Sequence, residues 1–238
     1  MTTIPLTYSI VLSALLAVIG FGIPYIVTLW LFGAPRFRYV IYSFLLFIPF
    51  LFIQGLLQKI TLSTLSKLPL LYVVPVLALF PAFIQEPAKL LMIKLFRVRS
   101  RSDASGIGLG LGALEIVLVG AFALLLAVPH LPKPIHVTHM ALSLSLVALL
   151  APIERMLATL FHVATSVLIF VGLVRKRLGQ ALATAVALHY IVDTLALTFQ
   201  ATLNTALLAT EYVTLTIIDT TLLYALSRKR TTQTPLHY

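Results

Sequence analysis

Long apolar runs, separated by short polar or basic segments, follow one another along this chain of 238 residues. A helix needs about 20 mostly apolar residues to cross the hydrocarbon core of a bilayer, and seven of the runs reach that length. The pattern predicts an all-α fold, a polytopic membrane helix bundle of seven or eight transmembrane helices. The long runs are residues 5–32, 39–57, 68–96, 105–128, 153–174, 178–199 and 205–226.

The number of crossings depends on residues 137–151, an apolar run that is short for a full span and ends at Pro152. We predict a re-entrant or interfacial helix here, which gives seven full crossings. Residues 58–67 read as a polar link between the second and third spans.

The third span contains three prolines, and each proline removes a hydrogen bond from a helix. We therefore expect this helix to be bent or broken near Glu86. The prolines are Pro75, Pro81 and Pro87.

Basic residues cluster at 36–38, 97–101, 175–177 and 228–230. Seven crossings put all four clusters on one face of the membrane, whereas eight would place two of them on opposite sides. Because cytoplasmic loops carry an excess of Lys and Arg, we predict a multi-pass protein of the cell membrane whose basic loops and C-terminus are cytoplasmic.

Composition narrows the class of protein further. The chain is 60% hydrophobic and 10% charged, with a net charge of +10 and no cysteine. The positive charge flanks the spans, so topology explains it and no nucleic-acid partner is predicted; the bilayer is the partner. Thiol nucleophiles and thiolate metal sites are excluded. The spans leave no room for a soluble core, so we predict one integral membrane domain over 1–238.

Charged residues inside the spans are expensive and indicate function. The segment FIQEPAKLLMIKLFR carries Glu86 and, one helical turn later, Lys89, which is close enough to pair with it. The fourth span carries Glu115. His162 lies in the span 153–174, where a hydrogen-bonded packing role is the alternative to a functional one.

His189 and Asp193 are four residues apart and therefore share a helix face, which is the spacing of an orienting pair. At about 1.5 Å per residue, Glu86, Glu115, His162 and His189 lie roughly 16, 21, 20 and 18 Å from the nearest basic cluster. These depths are all close to the middle of a hydrocarbon core of about 30 Å.

Carboxylates and imidazoles at one depth are the parts of a hydrolytic site. A glutamate can take a proton from water, and histidines can hold a metal or stabilise an oxyanion. The segment before Glu115 contains Gly106, Gly108, Gly110 and Gly112, two overlapping small-xxx-small patterns that predict close helix packing.

Four motifs in succession resemble those of the YhfC and PrsW families, with YhfC the nearer of the two. They are QEPAK at 85–89, GLGLGALE at 108–115, ER with FH at 154–162 and LHYIVD at 188–193. These families belong with the CAAX prenyl proteases and the Abi proteins in one superfamily of intramembrane proteases. The resemblance covers about residues 68–199.

The resemblance implies a CAAX-protease-like bundle of about eight helices that cleaves peptide bonds of membrane-protein or peptide substrates. It places Glu86 on the second glutamate of a Glu-Glu-x-x-Lys/Arg motif and Lys89 on its basic residue. The remaining matches are Glu115, His162, His189 and Asp193, with Asp193 orienting His189. We expect a divalent metal such as zinc at His162, His189 and Glu115, or metal-free glutamate catalysis.

The sequence departs from the motif at Gln85, where the first glutamate is usual, and glutamine cannot act as a general base. A catalytically inactive relative is therefore one alternative. A proton- or ion-coupled transporter is the other, with a pathway lined by the stretch from Glu211 to Asp219. Its polar stripe, predicted to face the bundle, is Tyr212, Thr216, Asp219 and Thr220.

Overall fold

The computed structural model describes residues 6–127, 144–202 and 204–228, which are helical almost throughout and contain no strand. A π-helical segment, Leu16–Gly22, joins the first two helices into one rod. The helices are α1 (Leu6–Leu15), α2 (Ile23–Phe32), α3 (Phe37–Leu65), α4 (Leu70–Leu95), α5 (Arg101–Ala127), α6 (Leu144–Val174), α7 (Leu178–Thr202) and α8 (Thr205–Arg228).

Seven stretches of the described chain are long and apolar enough to cross a membrane. The rod of α1, the π segment and α2 provides the first of them, and α3 to α8 provide one each. The prediction of an all-α membrane bundle with seven crossings is therefore confirmed, whereas the single-domain assignment of 1–238 stays a prediction.

Two predicted boundaries are wrong, because helices continue where we expected them to stop. α3 runs to Leu65, so most of the predicted link 58–67 is helical. α6 begins at Leu144 and passes through Pro152, so the described part of the predicted short helix belongs to the same helix as the next span. The rest of that run, residues 137–143, lies outside the described residues.

The third span was expected to be bent or broken near Glu86; it is not broken, and a bend there stays a prediction. α4 is continuous from Leu70 to Leu95 with its three prolines inside it. At Pro81 a neighbouring helix supplies the missing donor, since Gln58 of α3 donates to the carbonyl oxygen of Leu77 at 3.2 Å. Such support from neighbouring helices is how membrane helices tolerate proline.

The predicted polar stripe on α8 is rotated from its expected position. Thr216 and Thr220 are exposed, and the face turned toward the bundle instead carries Glu211, Leu215 and Asp219. This face packs against α6, where Leu215 lies in an apolar cluster with Phe161. Packing of the large apolar side chains therefore sets the rotation of α8, and two of the threonines are left outside.

Three of the basic clusters, 36–38, 97–101 and 175–177, lie with Arg228 at one end of the bundle, which we call the basic end. Arg36 donates to the Asp103 carboxylate, which joins the starts of α3 and α5. Arg101 donates to the carbonyl oxygen of Leu226 at 2.5 Å, which brings the end of α8 to the same place. The remaining cluster, 175–177, follows Val171 and Val174, which pack in one apolar cluster with Val98 of the second cluster.

α5 and α6 form the interior of the bundle. In the most apolar 18-residue stretch of each of these helices, 67% of the residues of α5 and 78% of those of α6 are buried. The corresponding share is 39% or less in the other spans of the described chain. The other helices present large apolar side chains outward, where lipid would cover them; examples are Trp30, Phe52 and Leu71.

The glycines of α5 let two helices approach it from different sides, which confirms the predicted close packing. A Cβ added at Gly106 would lie 3.2 Å from Pro35 and 3.3 Å from Tyr39, beside α3. A Cβ at Gly112 would lie 2.6 Å from the Thr159 side chain on α6. A Cβ at Gly108 would likewise collide with the α6 backbone at His162. One small-xxx-small row therefore faces α3 and the other faces α6.

We predict that Gly112→Ala lowers the free energy of unfolding by about 1–3 kcal/mol, because the added methyl group forces α5 and α6 apart. Gly179→Ala is the matched control, since Gly179 is exposed on α7 with open space around it. Unfolding with a denaturing detergent in mixed micelles measures both variants. Equal stability of Gly112→Ala and Gly179→Ala would show that the α5–α6 contact is not close-packed.

Candidate functional site

A cavity of about 230 Å³ lies among α3 to α8. The side chains on its walls include predicted site residues from three helices: Glu115 of α5, His162 of α6, and His189 and Asp193 of α7. Distances along the helices predicted that Glu115, His162 and His189 lie at a similar depth in the membrane, and the structure brings them to one cavity. Glu86 and Lys89 lie behind the histidines, completely buried.

The Lys89 ammonium group of α4 connects its own helix to α6 at the base of the cavity. Its Nζ lies 2.6 Å from Glu86 Oε1, 2.8 Å from Thr165 Oγ1 and 3.1 Å from His162 Nδ1. The predicted pairing of Lys89 with Glu86 is therefore present. An ammonium group has three N–H donors and no acceptor, so these three contacts use its whole donor capacity.

The position of Lys89 assigns the proton on His162. Because an ammonium group can only donate, Nδ1 of His162 must accept from it, and the proton of the neutral ring is then on Nε2. Nε2 faces Glu115 Oε2 at 3.3 Å. His162 therefore presents an N–H donor on its cavity side.

His189 has the opposite arrangement. Its Nδ1 lies 2.6 Å from Glu86 Oε1, a short contact in which the imidazole N–H donates to the carboxylate. The Nε2 lone pair is then directed away from Glu86, with Asp193 Oδ2 at 3.4 Å. The role of Asp193 in orienting His189 stays a prediction, and Glu86 is the closer partner of the ring.

Arg155 holds the carboxylate of Glu115, a contact that our reading of the sequence did not assign. Its guanidinium donates to Glu115 Oε2 at 2.9 Å and, through Nε at 2.7 Å, to Glu154. Glu154 and Arg155 precede His162 by about two turns in the same helix, so the pair of charges within an apolar run was the available signal.

Phe161 and Thr165 are two further site residues that sequence reasoning missed. The ring of Phe161 makes edge contacts with His189 at 5.3 Å and His162 at 5.9 Å between centroids. Lys89 Nζ lies 5.8 Å from the same ring. An apolar Phe and a Thr in a membrane helix carry no distinctive signal, so only the fold identifies them.

Gln85, the departure from the family motif, is buried but does not line the cavity. It is 2% exposed, and its Nε2 donates to Gln54 Oε1 at 3.0 Å. The amide is thus paired with a neighbouring amide on α3, that of Gln54, which itself lines the cavity.

The donor atoms on the cavity fit a divalent metal at His189 but not at His162. A histidine ligand needs a lone pair on the metal side and a donor bond from its other nitrogen, often to a carboxylate. His189 meets both conditions through Glu86, with the Asp193 carboxylate beside its Nε2. His162 meets neither while Lys89 donates to its Nδ1. Among the described residues, no group of three His, Cys, Asp or Glu side chains has metal-ligand spacing.

The fold and the cavity are those of a polytopic helical membrane protein. Within its membrane-spanning helices, carboxylates and imidazoles contact one another. The family model described as YhfC intramembrane metalloprotease matches residues 39–214. The chain therefore belongs to the YhfC intramembrane metalloprotease family, which confirms the resemblance of the four motifs. Comparisons with curated proteins and with solved structures find no match.

We predict strong energetic coupling between Lys89 and Glu86. Lys89→Met leaves a buried carboxylate without its cation and should lower the free energy of unfolding by about 3–5 kcal/mol. Adding Glu86→Gln to that variant removes the unpaired charge, so the double variant should be more stable than Lys89→Met alone. Detergent-induced unfolding of the wild type, of the single variants Lys89→Met and Glu86→Gln and of the double variant measures this coupling as a double-mutant cycle. Additive losses would contradict a coupled pair.

Proposed function

We propose that this chain is an intramembrane endopeptidase that hydrolyses peptide bonds of membrane-embedded substrates at the cavity. The observation that carries the proposal is the convergence of four helices on one site, where a carboxylate, the Nε2 atom of one imidazole and the Nε2 atom of a second imidazole meet. They belong to Glu115, His162 and His189, with Glu86 and Lys89 holding the rings from behind.

Glu115 is the proposed general base. Both of its described contacts, to His162 and Arg155, are made by Oε2, and no described hydrogen bond engages Oε1. Its side chain is 17% exposed on the cavity, whereas the Glu86 side chain is completely buried. A base must reach the water whose proton it takes, so Glu115 suits this role and Glu86 suits the positioning of His189.

His162 is the proposed stabiliser of negative charge on the substrate. Hydrolysis of a peptide bond builds charge on the carbonyl oxygen, and an N–H donor aimed at that oxygen lowers the barrier. The Nε2–H of His162 points to the cavity side of the ring, and Lys89 with Thr165 keeps it there.

The family name implies a metal, and His189 and Asp193 are the residues that would hold it. This pair keeps His189 from the expected set of His162, His189 and Glu115 and adds Asp193 in place of the other two. A divalent metal such as zinc supplies a Lewis acid that polarises a carbonyl group. Glu86 accepts a hydrogen bond from the Nδ1–H of His189, so in the neutral ring the lone pair is on Nε2, which lies 3.4 Å from Asp193 Oδ2.

The position of Gln85 supports an active enzyme over an inactive relative. Its side chain lies outside the lining of the cavity and pairs with Gln54. Replacement of a carboxylate by an amide at this place removes no group from the walls of the site.

We predict that Glu115→Gln abolishes proteolysis, since loss of a general base costs about 10²–10⁴ in rate. New protein termini in membranes from cells expressing the wild type are compared with those from cells expressing the variant. Glu86→Gln should also reduce cleavage, through misplacement of His189. The control is Thr216→Val, an exposed position on α8 that should leave the termini unchanged.

Identical termini from wild type and Glu115→Gln, with both proteins folded and equally abundant, would overturn the proposed activity. Termini lost in Glu86→Gln alone would instead assign the general base to Glu86.

We predict that the two histidines differ in metal retention. His189→Ala should lose bound metal after purification and incubation with zinc, while His162→Ala should keep it, because only His189 offers a lone pair toward the cavity. Elemental analysis of protein in detergent, with Thr216→Val as control, gives the metal content directly. Loss of metal in both histidine variants would show that His162 is a ligand as well.

A further inference from the structure

The cavity extends in only one direction from the level of the histidines. Taking about 1.5 Å per residue along a helix, His189 and His162 lie roughly 18 and 20 Å from the basic end. The other walls lie farther from that end: roughly 26 Å for Glu211, 30 Å for Gln58 and 35 Å for Gln200. These residues all line the same cavity.

The half of the bundle nearer the basic end is closed. A large apolar cluster fills it, and its side chains come from several helices. Met92, Ile93, Ile107 and Ile169 are each 1% exposed or less and lie within roughly 10 Å of the basic clusters along their helices. Protein interiors are packed with few voids as large as a water molecule, so among the residues that the structure describes this cluster leaves no route from the basic end to the histidines.

The outer walls of the cavity are polar both within the hydrocarbon core, at Gln54 and Glu211, and near its far surface, at Gln58, Glu154 and Gln200. Gln54, Gln58 and Gln200 contribute amides there, and Glu154 and Glu211 contribute carboxylates. Polar side chains without water or a partner are costly in hydrocarbon, whereas the same groups are favourable along a hydrated route. Amides can also pair with the N–H and C=O groups of an extended peptide.

We infer that water and substrate enter the cavity from the end of the bundle opposite the basic end. The substrate is then a non-helical peptide segment in that half of the membrane, a statement that rests on the proposed function. If the basic end is cytoplasmic, as the distribution of Lys and Arg predicts, the cavity opens to the extracytoplasmic side.

The chain contains no cysteine, so single cysteines can report access without any background. Ala158→Cys and Ala196→Cys place a small thiol on the cavity wall outside the proposed catalytic groups. Arg175→Cys reports the basic end, and Lys67→Cys reports the opposite end; both positions are exposed. Ala185→Cys is the matched control, three turns before Ala196 on a similar face of α7 but completely buried.

Sealed vesicles of both orientations are treated with a charged, membrane-impermeant maleimide. Ala158→Cys and Ala196→Cys should react in the orientation that labels Lys67→Cys, at least about tenfold faster than in the orientation that labels Arg175→Cys. Ala185→Cys should react in neither until the protein is denatured. Because the two reporters define the orientation, the result is independent of which end is cytoplasmic.

Reaction of both cavity cysteines from the basic end would overturn the inference, as would no reaction from either end when the denatured proteins react fully. Labelling uses no catalytic step, so it separates the two proposals. Labelling of the cavity cysteines from the Lys67 end, together with unchanged termini in Glu115→Gln, would contradict only the proposed activity. Labelling from the basic end together with Glu115-dependent cleavage defeats only the direction of entry.

Discussion

The buried ammonium group of Lys89 is the constraint on which the rest of the site depends. A charge removed from water must have all its donors satisfied, and Lys89 meets this requirement with one acceptor on its own helix and two on α6. Those contacts place α4 against α6 and determine which nitrogen of His162 carries the proton. Glu86 accepts from Lys89 and also from His189 of α7, so one ion pair controls the orientation of both imidazoles.

The glycines of α5 make this arrangement possible. Glu115 must come within reach of His162 while α5 also packs against α3, and side chains of ordinary size on both faces would keep the helices too far apart. Gly108 and Gly112 remove that obstacle on the α6 side, and Gly110 removes it on the α3 side at Ser43. Close approach of the two backbones thus brings the carboxylate near the imidazole, and Arg155 on the same helix as His162 holds it there.

Much of the fold was predictable because it follows from local properties of the chain. Apolar runs identify membrane helices, and distance along a helix gives the depth of residues such as Glu115. The errors came from packing between segments distant in sequence. Pro152 does not end its helix, and Thr216 faces outward because large apolar side chains set the rotation of α8. The partners of His162 were beyond prediction, since Lys89 precedes it by 73 positions and only the assembled bundle joins them.

The order of synthesis gives the local pairing of Glu86 a role in membrane insertion. When α4 leaves the ribosome, His189 has not been made, because it follows Glu86 by 103 positions. Lys89 follows by only three, so the opposite charge is present as soon as the helix forms. α4 can therefore enter the bilayer as a segment that already carries its own counter-ion, and the imidazole of α7 docks onto a charge pair already in place. A lysine contributed by a later helix would leave the glutamate to enter the membrane alone.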